Sequence, residues 1–144
     1  MMKTIIMRLC LALTLFFAGF ASADAAGITY SAQDLHTDCR HAEAFLMAEK
    51  KQDLLDSLAG ARCLSYLQGF VAGYWVSEVL ARRVGVDFAA FCLPPDVDML
   101  RLVRAVLLYL SLHPLPPETV AAVPAEQLTI AALARTFACA LPDE

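Results

Sequence analysis

The short motifs that announce many enzymes are missing from this 144-residue chain. It has no glycine-rich phosphate loop, no G-x-S-x-G elbow and no H-E-x-x-H pair, which removes the familiar nucleotide, serine-hydrolase and zinc-peptidase signatures. No segment alternates apolar and polar residues with β-branched enrichment, so a sheet is excluded. Low-complexity stretches and repeats of about 20–50 residues are absent, and with them disordered tails and solenoids. The apolar run at 9–20 stops at about a dozen residues, short of the roughly 20 that a spanning helix needs. Positive charge is also scarce: 11 Lys and Arg stand against 15 Asp and Glu, a poor balance for nucleic acid.

What is present begins with an export signal. Lys3 and Arg8 form a basic start, the apolar run follows, and small residues offer cleavage after Ala23 or after Ala25. Residues 1–23 therefore read as a cleaved signal peptide, 27–144 as one helical domain, and the mature protein as periplasmic with no stable membrane anchor. Cys10 lies at the front of the apolar run behind Arg8 and Leu9, without the small-residue approach of a lipoprotein, and leaves with the signal. Cleavage at Ala23 removes two basic residues and no acidic one, leaving nine against 15 and a formal charge of −6. Such a surface keeps a protein soluble, and it would also steer a basic partner.

About 120 mature residues fit a single domain. Ser31 and Asp34 form a capping box for a first helix at 32–47, with Leu35, Cys39, Ala42 and Leu46 at helical spacing. Residues 48–60 read as a loop with a turn or two of helix, closed by Gly60 as a C-cap. The proline-free stretch 61–83 is the central helix, ending near Gly85. Ser65, Gly69, Gly73 and Ser77 line one face of it with small side chains where another helix can approach, either in the core or in a homodimer. Tyr66, Phe70, Tyr74 and Trp75 on the same helix read as core. Residues 91–95, Phe-Cys-Leu-Pro-Pro, cannot be helical through their prolines and form a loop pinned by Cys92. Asp98 caps a third helix at 99–112, which His113-Pro114 stops. A turn of helix at 118–123 follows, and Pro124 opens a last helix at 125–138, expected to be the most buried. The fold class is all-α: a single small domain of about four main helices.

Four cysteines remain after the signal, Cys39, Cys63, Cys92 and Cys139. His36 lies three residues from Cys39, but His41 turns to another face, so no metal site assembles. In an oxidising compartment four cysteines form two disulfides rather than a catalytic thiol. Three pairings exist, and Cys39–Cys63 with Cys92–Cys139 is preferred: the first joins the first two helices, the second ties the proline loop to the last helix. Arg101 and Arg104 read as a solvated face rather than an anion clamp, and Asp96 and Asp98 as residues of a helix start. No catalytic set and no cofactor site emerge.

Four segments, Cys63-Leu64-Ser65-Tyr66-Leu67-Gln68-Gly69-Phe70, Phe91-Cys92-Leu93-Pro94-Pro95, Tyr109-Leu110-Ser111-Leu112-His113-Pro114 and Ala132-Leu133-Ala134-Arg135-Thr136-Phe137-Ala138-Cys139, together resemble the Rap/Tai-type immunity family in order and spacing. The likeness spans about residues 31–140. Two departures stand out: Ala138 occupies the family's proline, and prolines 116, 117 and 124 are additional. The resemblance implies a non-enzymatic inhibitor of a peptidoglycan amidase effector of type VI secretion, plugging a Cys/His active-site cleft. The residues expected at such an interface are Phe88 as an aromatic anchor with Asp87 and Asp96 beside it, in the loop at 85–98; the alternative is that Phe88 and Phe91 simply cover the end of the central helix. A competing reading is a small periplasmic helical chaperone that unmasks apolar surface in acid.

Overall fold

A computed structural model describes residues 30–48, 53–114 and 116–140. The expected signal peptide and both cleavage points lie outside the described residues. Five helices follow in order: α1 (Ala32–Leu46), α2 (Leu54–Arg83), α3 (Met99–Leu112), α4 (Pro117–Ala122) and α5 (Ala125–Thr136). The all-α expectation holds, and no strand occurs among the described residues.

Helix starts follow capping chemistry. Ser31 accepts the Asp34 amide while the Asp34 carboxylate accepts the Ser31 amide, and Asp98 accepts the Arg101 amide at the head of α3. The additional prolines sit at helix starts: Pro116 precedes α4, Pro117 is its first residue, and Pro124 stands one residue ahead of α5, where none interrupts a helical hydrogen bond.

The central helix is longer than expected. It starts at Leu54, capped by Asp53, rather than at Ala61, so most of the expected 48–60 loop is helical; residues 49–52 lie outside the described residues. The signal was Asp53 followed by Asp56, an N-cap with an acidic first turn. Gly60 is accordingly not a C-cap but a buried mid-helix residue facing α1. A Cβ placed there would sit 3.2 Å from the Ala42 amide nitrogen and 3.3 Å from the His41 carbonyl carbon. Gly60 thus sets the closeness of α1 and α2, and its backbone freedom is the lesser matter. A branched side chain has no flexible neighbour to displace, so Gly60→Val is expected to destabilise by about 1–2 kcal/mol in urea unfolding. An unchanged midpoint would refute the close approach as the reason for glycine.

The small-residue stripe behaves in the opposite way. A Cβ added at Gly69 or Gly73 would meet nothing within 4 Å, and both glycines are exposed, so none of the described helices packs there. The core lies on the other side, where Cys63 and Leu67 of α2 meet Leu35, Cys39 and Ala42 of α1, Val103 and Val106 of α3, and Leu128, Ala132 and Leu133 of α5. Five of the twelve α5 residues are buried, a larger share than in α1 or α3, as expected. Leu46, the last member of the expected α1 stripe, is exposed.

Both disulfides take the preferred pairing, Cys39–Cys63 and Cys92–Cys139. They differ in setting. Cys39 and Cys63 are fully buried between α1 and α2, while Cys92 is exposed.

One charged cluster closes the amino-terminal edge. Asp38 is buried on α1, and its carboxylate accepts two hydrogen bonds from the Arg62 guanidinium, at 2.9 and 2.7 Å, and one from the Tyr30 hydroxyl at 2.7 Å. Both oxygens of the buried acid thereby have a donor, one of them two. The Arg62 side chain itself is largely exposed, so it approaches the acid from solvent. Tyr30 also packs edge-on against Tyr66 at 5.1 Å, and its carbonyl accepts the Ala125 amide at 2.9 Å. Burial first, and then the Asp38 carboxylate, push the Tyr30 phenol far above its ordinary value. A raised folded-state pKa favours the fold while the phenol is protonated in both states, and that advantage is lost once the unfolded phenol ionises, above about pH 10. Stability is therefore expected to fall from about pH 10 upward, with Tyr30→Phe flattening the slope. Burial raises Tyr66 as well, so part of the slope should survive; full retention in the Tyr30 variant would contradict the assignment.

Candidate functional site

The segment between α2 and α3 is clamped at both ends. Gly85 takes φ 76°, the left-handed conformation glycine favours, and the Val86 amide turns back to the Ala81 carbonyl at 2.9 Å, closing α2. At the far side the Tyr74 hydroxyl of α2 accepts the Ala90 amide at 2.6 Å and lies 3.4 Å from both the amide and the carbonyl of Phe91. The Tyr74 ring stacks on Phe91 at 4.0 Å and packs against Phe88 at 5.9 Å. Phe91 is buried, and the next residue, Cys92, donates its amide to the Phe137 carbonyl at 2.8 Å and is cross-linked to Cys139. Between the fixed amides of Val86 and Ala90 only Asp87, Phe88 and Ala89 remain, and all three are exposed.

Phe88 is 47% exposed although it is a large aromatic on a short, restrained tip. Asp87 is its neighbour in sequence, and Asp96 belongs to a separate turn in which the Val97 amide bonds to the Pro94 carbonyl at 3.1 Å. Asp87 and Asp96 are both exposed, and neither forms an ion pair among the described residues. The structure thus gives the three expected interface residues a common loop without any contact that joins them.

Trp75 is 65% exposed and is not the core residue its apolar surroundings implied. With Val76, Val79 and Leu80 it forms an apolar face along the distal half of α2, which runs on past the part of the helix that packs against α1. A groove of about 620 Å³ lies between this face and Val97, Met99 and Leu102. Sequence periodicity missed it because α2 is apolar nearly all round, which hides which side meets solvent. On the opposite flank Glu78 pairs with Arg82 one turn on. Arg104 bonds to Glu43 of α1 at 2.9 Å, and Arg101 lies 5.7 Å over the Phe137 ring, so the two arginines serve separate neighbours instead of one anion.

Nothing in this arrangement converges for catalysis. All four cysteines among the described residues are consumed in disulfides and are neither nucleophiles nor metal ligands. His41 sits 3.2 Å from Asp56, His113 stacks on Tyr109 at 4.5 Å, and burial, with Arg40 nearby, lowers the pKa of His36. Among the described residues no group of three metal-binding side chains forms, and no helix is long and apolar enough to cross a membrane. Two disulfides suit an extracytoplasmic setting.

What the geometry offers is a cross-linked helical scaffold presenting a fixed aromatic tip, the form of a binding protein. No curated protein and no solved structure matches the chain. The profile of a family described as Rap1a immunity proteins matches residues 31–139, from the Ser31 cap through the last cysteine. That match covers both disulfides, all five helices and the restrained loop, and the chain belongs to the Rap1a immunity protein family.

Proposed function

We propose that the chain is exported, loses residues 1–23 and acts in the periplasm as an immunity protein, binding a type VI amidase effector and occluding its active-site cleft with the loop at 85–98. The observation that carries this reading is the exposed Phe88 on a tip restrained from both sides: an aromatic anchor that loses little freedom on binding. Asp87 and Asp96 supply negative charge suited to a basic cleft rim, and the acidic balance of the chain steers in the same direction. In this role the protein is a stoichiometric inhibitor, with no chemistry of its own.

The test is co-expression in the periplasm of the amidase encoded beside this gene, with and without this protein. Lysis is expected with the amidase alone and protection with both; a version lacking residues 1–23 should not protect. Unchanged lysis with both proteins would remove the immunity reading. Strong acid-induced binding of an apolar dye in the same protein would then favour the chaperone.

The open stripe on α2 supports a homodimer as part of the same reading. In an antiparallel two-fold pairing centred on Val76, Leu80 faces Ala72 and Arg83 faces Gly69, so large side chains meet small ones. Val76 and Tyr74 lie on opposite sides of α2, which leaves the loop free in such a dimer. Light scattering is expected to give twice the chain mass, falling to one for Val76→Asp; a monomeric wild type refutes the pairing.

A further inference from the structure

We infer that Tyr74 is a positioning residue for effector recognition, holding the Phe88 tip in its binding conformation through the bond from the Ala90 amide to its hydroxyl. The inference rests on the immunity reading above and adds to it the group that fixes the contact residue. Phe88 has no tether of its own: it makes no backbone hydrogen bond among those outside the helices, and its ring is half exposed. What confines it is Tyr74, which touches the tip twice. The hydroxyl holds the backbone two residues downstream at 2.6 Å, and the ring backs the Phe88 ring at 5.9 Å while resting on buried Phe91 at 4.0 Å. Upstream, the Val86 bond to Ala81 fixes the other end. Removing the hydroxyl frees one end of a three-residue span while leaving the aromatic stack in place, so the effect is local.

Tyr74→Phe separates positioning from folding. Its melting temperature is expected to stay within a few degrees of wild type, because one half-buried hydrogen bond contributes modestly to stability. Amide exchange at Ala90 in the free protein is expected to accelerate about tenfold, since its acceptor is gone. Dissociation from the neighbouring gene's amidase, made with its catalytic cysteine replaced, is expected to quicken about five- to tenfold, with association little changed.

The deciding measurement is the same substitution in a Phe88→Ala background. If Tyr74 acts by placing Phe88, it costs nothing further once that ring is gone. An equal loss in both backgrounds, or faster exchange at Ala90 with unaltered dissociation, would overturn the assignment and leave Tyr74 a structural residue. Failure of the immunity reading has a different signature: wild-type protein would not bind the amidase at all.

Discussion

Replacing Cys39 and Cys63 together by alanine is expected to cost about 4–5 kcal/mol, the whole stability of many domains of this size, and to leave the protein largely unfolded at 37 °C. Two terms contribute. The cross-link spans 24 residues, and releasing it returns about 3–3.5 kcal/mol of chain entropy to the unfolded state in the loop-closure model. Both cysteines are also fully buried, so each truncation removes packing at the α1–α2 contact, worth about 1 kcal/mol together or somewhat more. The comparison with Cys92 and Cys139 is informative because the two terms oppose each other there. That link spans 47 residues, and a doubled span adds only about 0.6 kcal/mol. Cys92 is exposed, so the packing term is small. The core pair should therefore be the more damaging, and the outer pair should act chiefly on the loop at 85–98. Urea unfolding of both double variants decides it; greater damage from the outer pair would show that span length outweighs burial.

Phe88→Ala is expected to weaken effector binding by about 2–3 kcal/mol, a loss of roughly 30- to 150-fold in affinity, with little change in stability. The asymmetry follows from exposure. Phe88 is half open to solvent with its ring beside Tyr74, whereas in a cleft the ring would be enclosed on all sides. Most of the loss should lie in dissociation. Asp87→Asn and Asp96→Asn should act more weakly and differently, slowing association and reducing its salt dependence, since both carboxylates are exposed and form no ion pair among the described residues. Calorimetry and surface kinetics at two salt concentrations separate these effects. Binding by the Phe88 variant within threefold of wild type would rule out an anchor role.

The starts of α1 and α3 were legible in the sequence because a side chain there acts on its own backbone, while the same chemistry at Asp53 went unread behind the charged run before it. Ser31 with Asp34, and Asp98, announce helix starts through capping hydrogen bonds made within three residues, and His113-Pro114 stops α3 because proline lacks the donor. The four cysteines that remain beyond the expected signal peptide also indicated two disulfides. The same reasoning failed where a residue has two uses. Gly60 fits a C-cap as well as a close helix contact, and only the position of α1 shows that the contact is its role. Gly69 and Gly73 carry the identical small-residue signal and face solvent instead.

The sequence by itself thus determined the helical class, the caps of α1 and α3, the family likeness and an acidic balance of charge, because periodicity, capping and charge are properties of neighbours along the chain. Tertiary structure alone decided which side of α2 is core, how Asp38 is neutralised across 24 residues by Arg62, and that one tyrosine hydroxyl restrains the tip carrying Phe88. The reason is physical: α2 carries apolar residues around most of its circumference with a few polar ones between them, so its own pattern assigns no inside. The inside is fixed by what the disulfide and Gly60 bring against it, and the distal apolar face of that helix is left exposed.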